Sequence, residues 1–145
     1  MTPPLSLAEI EAIIHRGVPL AAAWGVRVLS ASAEEAVLEL PHNPALLRPG
    51  NTVSGPAIMG LADMAMWAVL LAGSEGRDES LTANMHVNFL RPCGPGPISA
   101  TARLIKGQGR SIFGEILVRP LETKDVSVHV TTSWVRGRPP DGPAR

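Results

Sequence analysis

The run TVSGPAIMGLADMAMWAVLLAG, Thr52 to Gly73, is the most apolar stretch of the 145-residue chain, and its one ionisable residue is Asp63. A carboxyl group set among apolar side chains has its pKa raised, which moves it toward the range where a carboxylate can accept a proton near neutrality. A hydroxyl within reach would hydrogen-bond the ionised form and partly oppose that rise. The same position also suits a carboxylate paired within a dimer interface, and the residues alone weigh the two readings equally. Gly55 stands at the start of the same helical stretch, where backbone N–H groups lack intrahelical partners and a residue without a side chain lets another molecule approach closely. It could donate to an oxygen that becomes negative during a reaction, or it could shape the helix start together with Pro56, which itself removes one donor. With a rise of about 1.5 Å per residue, Gly55 and Asp63 are about 12 Å apart along the axis, too far to hold one carbon atom. If both act, Gly55 of one subunit must meet Asp63 of another.

The other reactive side chains carry weaker signals. His15, His42, His86 and His129 have no metal-ligand spacing and no acidic or cysteine cluster beside them, so neither a metal nor another cofactor is expected. Ser54 in TVSGP lacks the glycine two positions earlier that a nucleophile elbow requires, and is expected to cap the helix instead. Cys93 is the sole cysteine, which excludes a disulfide framework and fits a reducing, cytoplasmic setting. Met59, Met64, Met66 and Trp67 are packing residues by pattern, some of them candidates for lining a substrate pocket. Arg91 and Arg110 could meet phosphate groups, with ordinary surface charge as the alternative for each.

Those residues need a scaffold. Ser6 followed by Glu9 forms a capping-box pattern ahead of Leu7, Ile10, Ile13 and Ile14, which predicts a short N-terminal helix ending at Gly17. The runs from Trp24 to Leu40, broken at Ser32 to Glu34, predict a hairpin, and His42 to Asn51 reads as a loop. The long helix begins near Ser54 and leaves at Gly73; being apolar all round, it is expected to be enclosed on all sides. A membrane span of that length would place Asp63 near the bilayer centre at about 2.5–3.5 kcal/mol, so a helix buried in protein is expected instead. Four strands follow, with turns at Lys106 to Gly109 and Pro120 to Lys124. In the first, LTANMHVNFL, alternation sets Thr82 with Asn84, His86 and Asn88, opposite the apolar face. Solvent is then the default for Thr82, and twist or partner pairing would be needed to turn it toward the helix. Grouped rather than alternating elements give an α+β class, an antiparallel sheet of about six strands around one long helix. Residues 1–135 form a single domain, and 136–145, RGRPPDGPAR, are expected to be a disordered tail.

Thirteen basic residues balance thirteen acidic ones, so no positive field draws a polyanion, and no aromatic platform accompanies the scattered Lys and Arg. Nucleic acid is not an expected partner. The first residues lack a positive region followed by an apolar core and a small-residue cleavage site, so no secretion signal is expected.

From Trp24 to Val135 the chain resembles a hotdog-fold thioesterase, in particular the PaaI-like acyl-CoA thioesterases. The resemblance is carried by SGPAIMGLADMAM, by NFLRP at the end of the next strand and, more weakly, by GRS opening a later one. It implies Gly55 as the glycine of the helix N-terminus, Asp63 as the catalytic carboxylate, and Thr82 as the strand residue that assists it. Ser54 stands where the family usually has His, and Pro56 where it has a second glycine. The upstream Asn or Gln of the family falls on Arg48, with Asn51 reached only by a shifted loop. The resemblance also implies a homodimer or dimer of dimers with sites split between subunits. Its activity would be hydrolysis of a small or medium, even aryl-substituted, acyl-CoA, with Asp63 as base or nucleophile. The departures at Ser54, Pro56 and Arg48 keep a non-catalytic acyl-CoA binder as the alternative; a hydratase is weaker, since no Asp/His pair is evident.

Overall fold

The computed structural model describes residues 4–137. Helix α1, Leu7–Gly17, opens with the expected capping box: the Ser6 hydroxyl accepts from the Glu9 N–H at 3.1 Å, and the Glu9 carboxylate accepts from the Ser6 N–H at 3.0 Å. It buries Ile10 and Ile14. A second short helix, α2 (Pro19–Trp24), follows and takes Trp24, which the sequence pattern places at the start of the hairpin; the first strand begins only at Arg27. Pro19 in its first turn and Gly25 in the left-handed conformation after it are a helix start and stop that a six-residue segment is too short to announce by periodicity.

The hairpin β1 (Arg27–Ala31) and β2 (Glu35–Leu40) turns at the expected residues. The loop after it is partly ordered: a 3₁₀ turn at Pro44–Leu46 leads into a two-residue pairing of β3 (Leu47–Arg48) with β4 (Thr52–Val53). Helix α3, Gly55–Gly73, is followed by β5 (Leu81–Phe89), β6 (Ile98–Lys106), β7 (Ser111–Pro120) and β8 (Val128–Val135). The six long strands form one antiparallel sheet in the order β1-β2-β6-β7-β8-β5, and α3 packs across β6, β2, β7 and β1. This is the hotdog arrangement, with Leu61, Met66, Val69, Leu71, Ile98, Ile112 and Ile116 at its centre.

Enclosure of α3 is incomplete. Eleven of its residues are buried, whereas Pro56, Met59, Gly60, Asp63 and Trp67, on one stripe at helical spacing, are exposed or half-buried. The α1–α2 segment covers part of that stripe. Although α3 is long and apolar enough to cross a bilayer, its apolar surface is spent on this sheet.

Ser54 occupies the N-cap position with extended backbone, yet its side chain makes no cap hydrogen bond, contrary to the expectation that the hydroxyl caps α3. The Ser54 carbonyl still accepts from Ile58 N–H at 3.0 Å, so the first turn closes through the backbone alone. Ser6→Ala is therefore expected to cost about 1 kcal/mol and Ser54→Ala only a few tenths; chemical unfolding of both variants checks the contrast. Beyond β8, the Arg136 N–H donates to the Arg110 carbonyl at 2.8 Å and its Nε to that of Gly109 at 2.9 Å. Residues 138–145 of the expected tail lie outside the described residues.

Candidate active site

Asp63 lies two turns into α3, on the stripe its own sheet leaves uncovered. The Thr82 hydroxyl donates to its Oδ1 at 2.6 Å. Simple alternation would have turned Thr82 away from the helix, and a β-bulge reverses that. In the β5–β8 pairing Thr82 lies opposite Trp134 and Asn84 opposite Ser133, with Ala83 as the extra residue. One added residue flips the face of everything before it, so Thr82 joins Met85 and Val87 on the side facing α3.

Burial pushes the Asp63 carboxyl above the ordinary aspartate range, and the Thr82 hydrogen bond opposes this in part. The folded state consequently binds more protons than the unfolded state between the ordinary aspartate pKa and the raised one. Stability is fullest below that window and falls as pH rises through it. Asp63→Asn, which does not titrate, should gain thermal stability relative to the native protein as pH climbs through this range. A flat difference in unfolding temperature across a pH series would contradict it.

Two cavities flank the stripe. One, of about 380 Å³, holds Asp63 and Thr82 with Trp67, Val18, Leu20 and Trp134 in its walls. The other, of about 500 Å³, lies at the N-terminus of α3 and is lined by Gly55, Arg48, Arg91, Phe89 and Cys93 among others. The Gly55 N–H has no partner among the described residues, so this cavity contains a free backbone donor. A Cβ added at Gly55 would stand 3.5 Å from Phe89 Cζ, an ordinary contact, so the glycine leaves the space above the donor open without being demanded by its own chain's packing. Arg91 is held only loosely, 3.6 Å from Asp125, with both side chains exposed.

The structure thus gathers Arg48, Gly55 and Arg91 at one end of α3, and Asp63, Trp67 and Thr82 in the other cavity. Asn51 sits in the β3–β4 turn with φ 60° and lines neither cavity; Arg110, at the β6–β7 turn, lines neither as well. Val18, Leu20, Trp134, Phe89 and Cys93 were not legible as site residues. Trp134 had a signal, since alternation along β8 places it on the helix face; Val18 and Leu20 depended on α2. Among the described residues no group of three or more His, Cys, Asp or Glu side chains is placed to hold a metal.

The sequence profile of the Thioesterase superfamily matches residues 50–127. A Saccharolobus solfataricus protein whose name carries the word esterase is 24% identical over 128 residues, 88% of this chain and 90% of that protein. Among solved structures, a thioesterase-named protein of Silicibacter sp. TM1040 superposes with a TM-score of 0.83 at 24% identity, over 92% of this chain and 93% of the other. The PaaI protein of the E. coli phenylacetic acid degradation operon superposes with a TM-score of 0.74 at 18% identity, over 89% of this chain and 96% of its own. At these identities the structural likeness speaks for the fold.

Proposed function

Because the chain belongs to the thioesterase superfamily, we propose that it hydrolyses a small or medium acyl-CoA, aryl-substituted acyl groups included, to the free acid and CoA. The observation that carries this reading is the Asp63 carboxylate, held by Thr82 at 2.6 Å in a largely apolar cavity. Water adds its oxygen to the thioester carbonyl carbon, the C–S bond breaks, and the proton lost by water ends on the thiol. Asp63 either takes that proton as water attacks or attacks the carbon itself, water then opening the mixed anhydride. The Gly55 N–H is the proposed donor to the developing oxyanion. Arg48 and Arg91, beside it, are the proposed contacts for CoA phosphates.

Gly55 and Asp63 share a helix but not a cavity, so the proposal requires a second copy. Strand β5 supports one. It is a sheet edge of nine residues without proline or lysine, and Leu81 and Phe89 at its ends are 74% and 54% exposed. Such an edge invites pairing. A two-fold axis across β5 reverses the partner strand, so the Leu81–Thr82 end of one copy meets the Phe89 end of the other. Thr82 marks the Asp63 cavity and Phe89 the Gly55 cavity, and each dimer would join unlike halves twice. A dimer, or a pair of such dimers, is the proposed assembly.

The test is release of free thiol from a panel of aliphatic and aryl acyl-CoAs, with sedimentation run on the same samples. Turnover by a dimer or larger species supports the reading. A folded protein that cleaves none of them, or an active monomer, removes it. Binding of acyl-CoA without turnover would favour the non-catalytic alternative.

A further inference from the structure

Two tryptophans and two glycines interlock on either side of Asp63. The Trp67 ring, on α3, lies over Gly17 at the end of α1, where an added Cβ would stand 2.6 Å from Cη2 and 3.1 Å from Cζ3. The Trp24 ring, from α2, lies over Gly60 on α3, where an added Cβ would be 3.0 Å from both Cη2 and Cζ3. Gly60, Asp63 and Trp67 follow one another on the uncovered stripe of α3. Residues of the α1–α2 segment, Gly17, Val18 and Leu20, then form the wall of the Asp63 cavity opposite β5. Apart from Asp63, the cavity has no ionisable lining residue.

Resting on the thioesterase reading above, we infer that the Gly17–Trp67 contact fixes the depth of the acyl pocket and so the length of the uncharged, apolar acyl chain accepted there. Trp67 can lie back against α1 only because residue 17 has no side chain. A methyl group at 17 meets the far end of the indole rather than backbone, so the ring moves, and the open volume beside it is the cavity it lines. The backbone at Gly17 is not left-handed, so alanine fits the chain itself there. Phenylalanine at 67 lacks the indole atoms that meet Gly17 and leaves the pocket deeper.

The experiment measures kcat/KM for straight-chain acyl-CoAs from acetyl to dodecanoyl with the native protein, Gly17→Ala, Trp67→Phe and the double variant, thermal unfolding being followed alongside. Gly17→Ala is expected to lower the ratio for longer over shorter chains about tenfold or more, the scale on which a pocket discriminates one or two methylenes. Trp67→Phe should move the preference to longer chains. The double variant should follow the Trp67→Phe profile, with the effect of Gly17→Ala lost, because phenylalanine no longer collides with the new methyl group. A native chain-length profile in folded Gly17→Ala and folded Trp67→Phe overturns the proposal while leaving thioester hydrolysis intact. Should Gly17→Ala fail to fold, the Trp67→Phe shift alone decides. If the native protein cleaves no acyl-CoA, it is the function that falls. Binding of S-alkyl-CoA thioethers from methyl to dodecyl then decides the pocket: the same shift between variants supports it, and no dependence on length overturns it.

Discussion

Asp63→Asn is expected to lower kcat/KM for thioester cleavage by about 10²–10⁴-fold, the contribution of a positioned acid–base group, with the fold and the proposed dimer preserved. Asparagine keeps the volume of the side chain and can still pair with the Thr82 hydroxyl that now donates at 2.6 Å, but it cannot take a proton or form an anhydride. The pH profile separates this from a packing loss. In the proposed mechanism activity needs the ionised carboxylate, and burial holds its pKa above the ordinary aspartate range, so kcat/KM should rise with pH along a limb displaced upward from that range. The residual activity of Asp63→Asn should lack that limb. Thr82→Val, which removes the one interaction opposing burial, should move the limb higher still. Native-level turnover in Asp63→Asn would return Asp63 to a structural role.

Mixing two inactive variants should restore activity. Gly55→Val fills the space over the free N–H in one cavity, and Asp63→Asn disables the other, so in the proposed assembly each homodimer carries two broken sites. In a heterodimer of the two, one site combines the damaged halves and the other combines native Gly55 with native Asp63. Random reassortment of an equimolar mixture gives half heterodimers, each with one working site, and therefore about a quarter of native activity under two-fold symmetry. The recovery should follow subunit exchange, appearing after a cycle of dissociation and not on simple mixing of slowly exchanging dimers. Persistent inactivity after verified exchange would show that one subunit supplies both groups. That outcome would leave the roughly 12 Å along α3 between them unexplained.

Much of the scaffold was legible because it rests on local chemistry. The capping box of α1 lies within four residues, and it forms as its sequence dictates. The ends of α3, the β1–β2 hairpin and the three strands after β5 are announced by apolar periodicity and by turn residues, both short-range signals. Asp63 was legible as well, since a lone carboxyl in an apolar helix stands out whatever surrounds it. Segments too short for a period were not: α2 has six residues, and β3 and β4 have two each.

Three things were decided by tertiary structure. Thr82 reaches Asp63 through a bulge at Ala83, and a bulge depends on how β5 meets β8, so strand alternation pointed the wrong way. Ser54 has the residue type and position of a cap, but its hydroxyl is not hydrogen-bonded to the first turn, because residue type sets a preference and the surrounding fold sets the rotamer. The stripe of α3 that carries Asp63 was expected to be covered. Composition could state that the helix must be enclosed, but not by which elements. Hydrophobic burial is non-directional, and the sheet covers most of the helix while α1 and α2 take part of the remainder. What they leave open is the surface on which Asp63 sits.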